Sequence, residues 1–393
     1  MTAFSELTVL SLEQATTLPF LTQRLAREGM RVIRVEPPGR GDPNRYIGEA
    51  TLDEADMCSY FFPNNCGKEA ITLNLRAPEG QALLHDLITR LPVDIFATNN
   101  RPRTYAKLGI AYEKLCSVRP DLIWLGTTGF GPQSDEGAYD PVIQARAGWM
   151  ELTGEPDGFP QVVGLPLVDL GASEHAYGAV MKALFQRAST GAGSRIDISL
   201  FHSALSWMAN AVMLTELGEH ITRRGNTHQF FGPVSVFPTK DERFVYLATG
   251  NDRQWKALTQ LDGFKTLADT AYAQNAGRMA DIHSLNERIA AITRQRTAAE
   301  LISAMNAIGT PIAKVNTMAE VVQEPLLREG MTRSRDARSG VEVVLPPLAQ
   351  TNAESAPTLT FPPRLGEHNE TIFGEVLGLS AEQIAGLGAK GII

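Results

Sequence analysis

Cysteine is scarce: the 393 residues contain three, Cys58, Cys66 and Cys116, with no C-x-x-C pair and no histidine cluster beside them. That pattern excludes a disulfide framework and a cysteine-based metal site, and it predicts reduced thiols in a cytoplasmic protein. The histidines (His85, His175, His202, His220, His228, His283 and His368) are scattered, and no H-E-x-x-H occurs. No metal is therefore expected. A G-x-S-x-G elbow and a G-x-x-x-x-G-K-[ST] loop are also missing; Gly67-Lys68 runs on into Glu69, without the upstream glycine of a phosphate cradle. No apolar run approaches the ~20 residues of a membrane span. The first residues, MTAFSELTVLSLEQ, carry no basic stretch followed by an apolar one, so no export signal is expected. The net charge of −8 disfavours nucleic acid as a partner.

What is present is an alternation of strands and helices. Thr8–Leu12 alternates as a strand, Pro19 opens a helix that Gly29 stops, and Arg31–Glu36 forms a second strand. Strand, helix and strand in so short a span make a βαβ crossover, hence a parallel sheet. Further strands are expected at Ala70–Leu75, Val93–Ala97 and Leu122–Thr127, with helices at Pro78–Leu91 and Tyr112–Val118. Glu36 stands where dinucleotide folds place a ribose-binding acid, but the turn Glu13–Leu18 contains no glycine, so a pyrophosphate cannot approach its backbone. NAD is not expected. The texture changes at Arg223-Arg224-Gly225-Asn226. A hairpin around Lys240-Asp241-Glu242, helices at Gln254–Leu261 and Leu285–Asn306, and a strand at Ile312–Val315 then form a smaller α+β domain. The reading is an open α/β large domain over 1–205, a linker over 206–225, the small domain over 226–322, and a returning segment over 323–393.

One stretch stands out chemically. Val163–Arg195 enters through Pro166, meets Asp169, and continues as a helix rich in small residues up to Thr190-Gly191-Ala192-Gly193. Asp169 at the start of that helix reads first as an N-terminal cap, and the same surroundings would also suit a nucleophile, a carboxylate flanked by residues too small to block a substrate.

The run P-x-x-D-x-x-x-x-x-x-x-x-G followed by A-L-x-x-R-x-x-T-G-x-G-x-R-x-D-x-S-L resembles the signature of the family III CoA-transferases. The resemblance extends along the chain: Pro19, Arg34-Val35-Glu36-Pro37-Pro38, Gly41-Asp42-Pro43, Lys68, Asn99, Leu108-Gly109, Gly129-Phe130-Gly131, Asp140-Pro141, Gly225-Asn226, Gly250-Asn251-Asp252, Gly309-Thr310-Pro311 and Leu365-Gly366-Glu367-His368. It implies a dinucleotide-fold-like large domain and a homodimer of interlocked rings. It also implies a coenzyme A thioester as substrate rather than as a tightly bound cofactor, and a small carboxylic acid as the other partner. Asp169 takes the nucleophile's place, with Gln14, Tyr139 and Gln144 near the active site. Ala15, Thr16, Lys68, Asn99, Asn100 and Lys107 take places that contact CoA, where the two lysines either meet its phosphates or lie solvated on the surface.

The mechanism implied by resemblance runs through an aspartyl–acyl anhydride and an aspartyl–CoA thioester, which divide one exchange into easier steps. Two departures narrow the acid. Thr16 replaces a glutamine of some oxalate and formate members, and their glycine-rich lid is missing between Phe231 and Tyr246. Formate and oxalate are therefore set aside in favour of succinyl-CoA with a C4–C5 dicarboxylate such as itaconate, mesaconate or citramalate. Arg45, Arg146 and His228 are the cations available for the second carboxylate. An α-methylacyl-CoA racemase is the alternative on the same fold, but it resembles this chain less well where Ala138-Tyr139-Asp140 replaces its G-H-D. A noncatalytic CoA-binding protein is the other alternative.

Overall fold

Apolar side chains that alternate between two faces build the central sheet. In the computed structural model, which describes residues 4–349 and 358–393, the strands are β1 (Thr8–Leu12), β2 (Arg31–Glu36), β3 (Lys68–Thr72), β4 (Val93–Thr98), β5 (Ile123–Thr128) and β6 (Ser194–Ser199). They pair in parallel in the order β3-β2-β1-β4-β5-β6, the order of dinucleotide folds. Val9, Val32, Ile95 and Ile123 point to one face, and their neighbours Leu10, Ile33, Phe96 and Trp124 to the other.

Helices cover both faces. On the first lie α1 (Thr17–Arg27) and, further along the chain, the 24-residue helix Leu167–Thr190. On the second lie α2 (Pro78–Arg90), α3 (Tyr112–Val118) and the late helix Asn369–Leu377. We label Asp140–Arg146 α4 and Leu167–Thr190 α5. Pro19 lies within the first turn of α1, where its missing N–H costs nothing. Leu18, Leu21 and Leu25 of α1 are buried, each contributing about 1.5–3 kcal/mol. Small residues let α5 lie close to its neighbours: a Cβ on Gly171 would come within 3.0 Å of the Trp207 ring. Gly191 ends α5 in the left-handed conformation, φ 71°.

The chain divides into two units, Met1–Ala147 with Gly164–Met213 and Glu329–Ile393, and Gly148–Val163 with Leu214–Arg328. The second unit holds an antiparallel sheet of β7 (Val234–Pro238), β8 (Phe244–Ala248) and β9 (Ile312–Lys314), packed around Trp255, Phe264 and Leu301. The helix expected over Leu285–Asn306 is two, Ile282–Thr293 and Ala298–Ala307. The break is chemical: Thr297 and Glu300 form a capping box that starts a new helix. Two further short helices, Leu200–Ser206 and Ala209–Glu216, follow β6.

Candidate active site

The first turn of α5 divides two tasks between two aspartates. Val168 and Asp169 donate their backbone N–H groups to Asp140 Oδ2, at 2.7 and 3.1 Å. Asp140, at the start of α4, thus satisfies amides that the first turn of a helix leaves open. Gln144, one turn along α4 and fully buried, donates Nε2–H to Asp140 Oδ1 at 2.6 Å and holds that carboxylate in place. The capping expected of Asp169 is therefore done by Asp140, and the Asp169 side chain is left for something else.

That side chain accepts a hydrogen bond from Thr17 Oγ1 at 2.6 Å, through Oδ1. Burial pushes its pKa up to about 6; the Thr17 bond pulls the other way, and the nearby Asp140 carboxylate adds to the rise. A carboxylate denied part of its hydration is a stronger nucleophile, and a shift of this size is what functional sites impose. Thr17 carries no sequence signal. It is a threonine at a helix start, and its partner lies 152 residues away.

The loop between β1 and α1 brings Thr17 there, and it is pinned from several sides. Ala15 adopts φ 63°, a left-handed conformation unusual without glycine. Its N–H donates to Asp42 Oδ1 at 3.2 Å, and its carbonyl accepts from Asn44 Nδ2 at 2.8 Å. The Asn99 side chain, past the end of β4, both donates to the Gln14 carbonyl (2.7 Å) and accepts its N–H (3.1 Å). Thr16 is buried as the N-cap of α1, and its side chain makes no capping bond.

Two cations expected to meet ligands are committed elsewhere. Lys68 is only 1 % exposed: its Nζ–H groups donate to Glu13 Oε1 at 2.7 Å, Pro19 O at 2.9 Å and Asn65 Oδ1 at 3.1 Å. It is neither a surface lysine nor placed to meet a CoA phosphate. Burial lowers its pKa to about 8, with Glu13 opposing. Arg45 is fully buried and grips Glu36 with two bonds, of 2.8 and 2.7 Å. It cannot reach a substrate carboxylate without abandoning a buried acid. Arg34 completes the cluster with Asp42 and Asn65, and it lies 3.1 Å from Glu36. Glu36, the acid at the end of β2, is thus held in its charged form: burial alone would raise its pKa, but Arg34 and Arg45 outweigh that and hold it at about 2. Gly41 makes room here, since a Cβ would lie 2.8 Å from Glu36 Oε1, and its φ is +68°.

The other expected residues are dispersed. Arg146, the last residue of α4, pairs with Glu136 at 2.6 Å and stacks 4.3 Å from the Phe130 ring centroid. Tyr139 is 76 % exposed. His228 belongs to the second unit, where its Nδ1 accepts the N–H groups of Phe230 and Phe231. Gln14, Asn100 and Lys107 do come together, lining a cavity of about 900 Å³ beyond the ends of β1, β2 and β4. Arg40 and Arg76 line it too; like Lys107 they are exposed and form no ion pair among the described residues. Neither arginine was singled out from the sequence, because the fold alone brings these loops together.

Strand order, covering helices and a desolvated aspartate at a helix start define an α/β protein built on a dinucleotide fold, with an acid side chain at its centre. The chain belongs to CoA-transferase family III, whose family model matches residues 4–369. An acetyl-CoA:oxalate CoA-transferase of Acetobacter aceti is 34% identical, over 82% of this chain and 83% of its own. A succinyl-CoA–D-citramalate CoA-transferase of Chloroflexus aurantiacus is 33% identical, over 95% of this chain and 94% of its own. Among solved structures, a CAIB/BAIF family protein from Brucella suis superposes with a TM-score of 0.84 at 31% identity, over 95% of this chain and 99% of its own. The protein is a CoA-transferase, and CoA thioesters are its substrates.

Proposed function

We propose that the protein moves CoA from succinyl-CoA to a small dicarboxylic acid, with Asp169 as the nucleophile. The observation that carries this reading is the Asp169 carboxylate itself, desolvated, anchored through one oxygen by Thr17 and freed from capping by Asp140. Attack on the thioester carbonyl gives an aspartyl anhydride and CoA thiolate. The thiolate returns to the aspartyl carbonyl, and the acceptor acid reverses both steps. Anhydride and thioester are close enough in energy for the cycle to run without ATP. The cavity carrying Arg40, Arg76 and Lys107 suits the phosphates of CoA, with Asn100 and the Gln14–Thr16 loop beside it. The homodimer of interlocked rings that family membership implies belongs to the same reading.

The acid follows from chemistry shared by relatives. Oxalate and citramalate are both dicarboxylates, and the second carboxylate needs a fixed cation. With Arg45 committed to Glu36 and His228 Nδ1 accepting backbone N–H groups, Arg146 remains for that role. Thr16 keeps oxalate behind the C4–C5 acids itaconate, mesaconate and citramalate. A panel of acids assayed with succinyl-CoA should place these dicarboxylates at least tenfold above monocarboxylates in kcat/KM, about 1.4 kcal/mol of transition-state preference. A monocarboxylate leading by that margin would end the dicarboxylate reading and leave the nucleophile untouched.

The pH dependence has a definite sign. Only the ionised carboxylate attacks, so kcat/KM should rise through a midpoint near 6 and fall about tenfold per unit below it. A midpoint near the ordinary carboxylate value would show that Asp169 is not the titrating group.

A further inference from the structure

We propose that Thr17 is a catalytic hydrogen-bond donor for the steps centred on the aspartyl carbon, and that its hydroxyl selects which oxygen of Asp169 attacks. The inference rests on Asp169 being the nucleophile. Thr17 is the first residue of α1 and is buried. Its Oγ1–H donates to Asp169 Oδ1 at 2.6 Å, while its own carbonyl accepts from Ser173 Oγ at 2.5 Å. Ser173 lies one turn beyond Asp169 on α5. The two helix starts are thus clipped twice, once through the reacting carboxylate and once through the Thr17 backbone. The amides of Val168 and Asp169, bound to Asp140, fix the same turn from a third side.

This makes the two oxygens unequal. Oδ1 is engaged, so Oδ2 attacks: an Oδ2–C bond forms to the acyl carbon, the C–S bond breaks, and CoA leaves as thiolate with the bonding pair. Oδ1 is now the carbonyl oxygen of the aspartyl half of the anhydride. When the thiolate adds to the aspartyl carbon, negative charge gathers on Oδ1, where the Thr17 hydroxyl already points. A donor fixed before the charge develops stabilises the transition state more than the ground state. Collapse breaks the aspartyl C–Oδ2 bond, and the first acid departs as a carboxylate carrying Oδ2. The acceptor carboxylate then adds to the same carbon, the charge again falls on Oδ1, and thiolate leaves. In the last step thiolate attacks the acceptor's acyl carbon and releases Asp169 with one oxygen taken from the acceptor. No proton is exchanged and no further reactant is consumed. Each turnover replaces Oδ2 and retains Oδ1.

The test uses a dicarboxylic acceptor with isotopically heavy carboxylate oxygens, several turnovers, and mass spectrometry of the peptide bearing Asp169. In the wild-type protein one heavy oxygen is expected. In Thr17→Val the carboxylate can turn over between cycles, so two are expected. Formation of the enzyme–CoA thioester should also slow by about 10²-fold in this variant. Thr17→Ser keeps the hydroxyl and should restore single labelling and most of the rate. Two heavy oxygens in the wild type, or single labelling and an unchanged rate in Thr17→Val, would overturn the proposal. If Thr17→Val does not fold, the wild-type labelling pattern decides alone. Absence of label from every protein would overturn the nucleophile reading itself, and the role of Thr17 with it.

Discussion

Asp169→Asn should abolish CoA transfer and, near pH 8, leave a more stable protein. Losing a nucleophile costs on the order of 10⁶-fold in rate. The gain in stability follows from the raised pKa. A carboxyl whose folded-state pKa lies above its unfolded value favours folding fully at low pH, and that benefit disappears as pH rises through the folded value. For Asp169 the window runs from 3.8 to about 6. Above it the ionised side chain costs up to ~3 kcal/mol, which the uncharged amide does not incur. Asparagine also keeps an oxygen to accept the Thr17 bond. Thermal melts at about pH 8 and about pH 4 should therefore show a higher Tm for the variant only at the higher pH. Equal melting temperatures at both would mean that the site does not desolvate its acid.

Lys68→Met should lower stability by about 3–5 kcal/mol and hardly change the KM for acyl-CoA in the protein that remains folded. Glu13 would be left buried, with only Thr22 at 2.5 Å and Arg34 at 3.9 Å to stabilise its charge. Glu13→Gln combined with Lys68→Met should recover most of the loss, because no isolated charge is then left behind. If Lys68→Met instead raised KM tenfold with an unchanged Tm, the lysine would be a ligand residue after all.

The elements were legible in the sequence where period and punctuation agreed. β1, β2 and α3 fall at the residues that alternation and helical spacing select, and Gly191 ends α5 where the glycine cluster suggested. The cap and nucleophile readings of Asp169 could not be separated, because the residue that does the capping lies 29 positions away on another helix. Lys68 reads as a loop residue for a related reason. A third strand that starts at Ala70 leaves the lysine in a loop, whereas β3 begins at Lys68 itself and carries it inward to Glu13, 55 residues distant. Charge in a sequence reads as exposure until its partner is known, and for Arg45 and Lys68 the partners are supplied by tertiary structure. The Thr297–Glu300 capping box is the signal in the sequence that divides the long helix.

The tethered turn after β1 bears on how a ligand is received. A loop that must be frozen by its ligand loses about 1–2 kcal/mol of backbone entropy per residue ordered, and affinity falls accordingly. Here the tethers, Asp42, Asn44 and Asn99, all belong to the chain itself, with Ala15 kept in a conformation it would not choose alone. If CoA enters beside this turn as proposed, its association begins from an already ordered surface. In calorimetric terms, the heat-capacity change reports apolar area covered by the ligand, free of any contribution from a coil becoming structured.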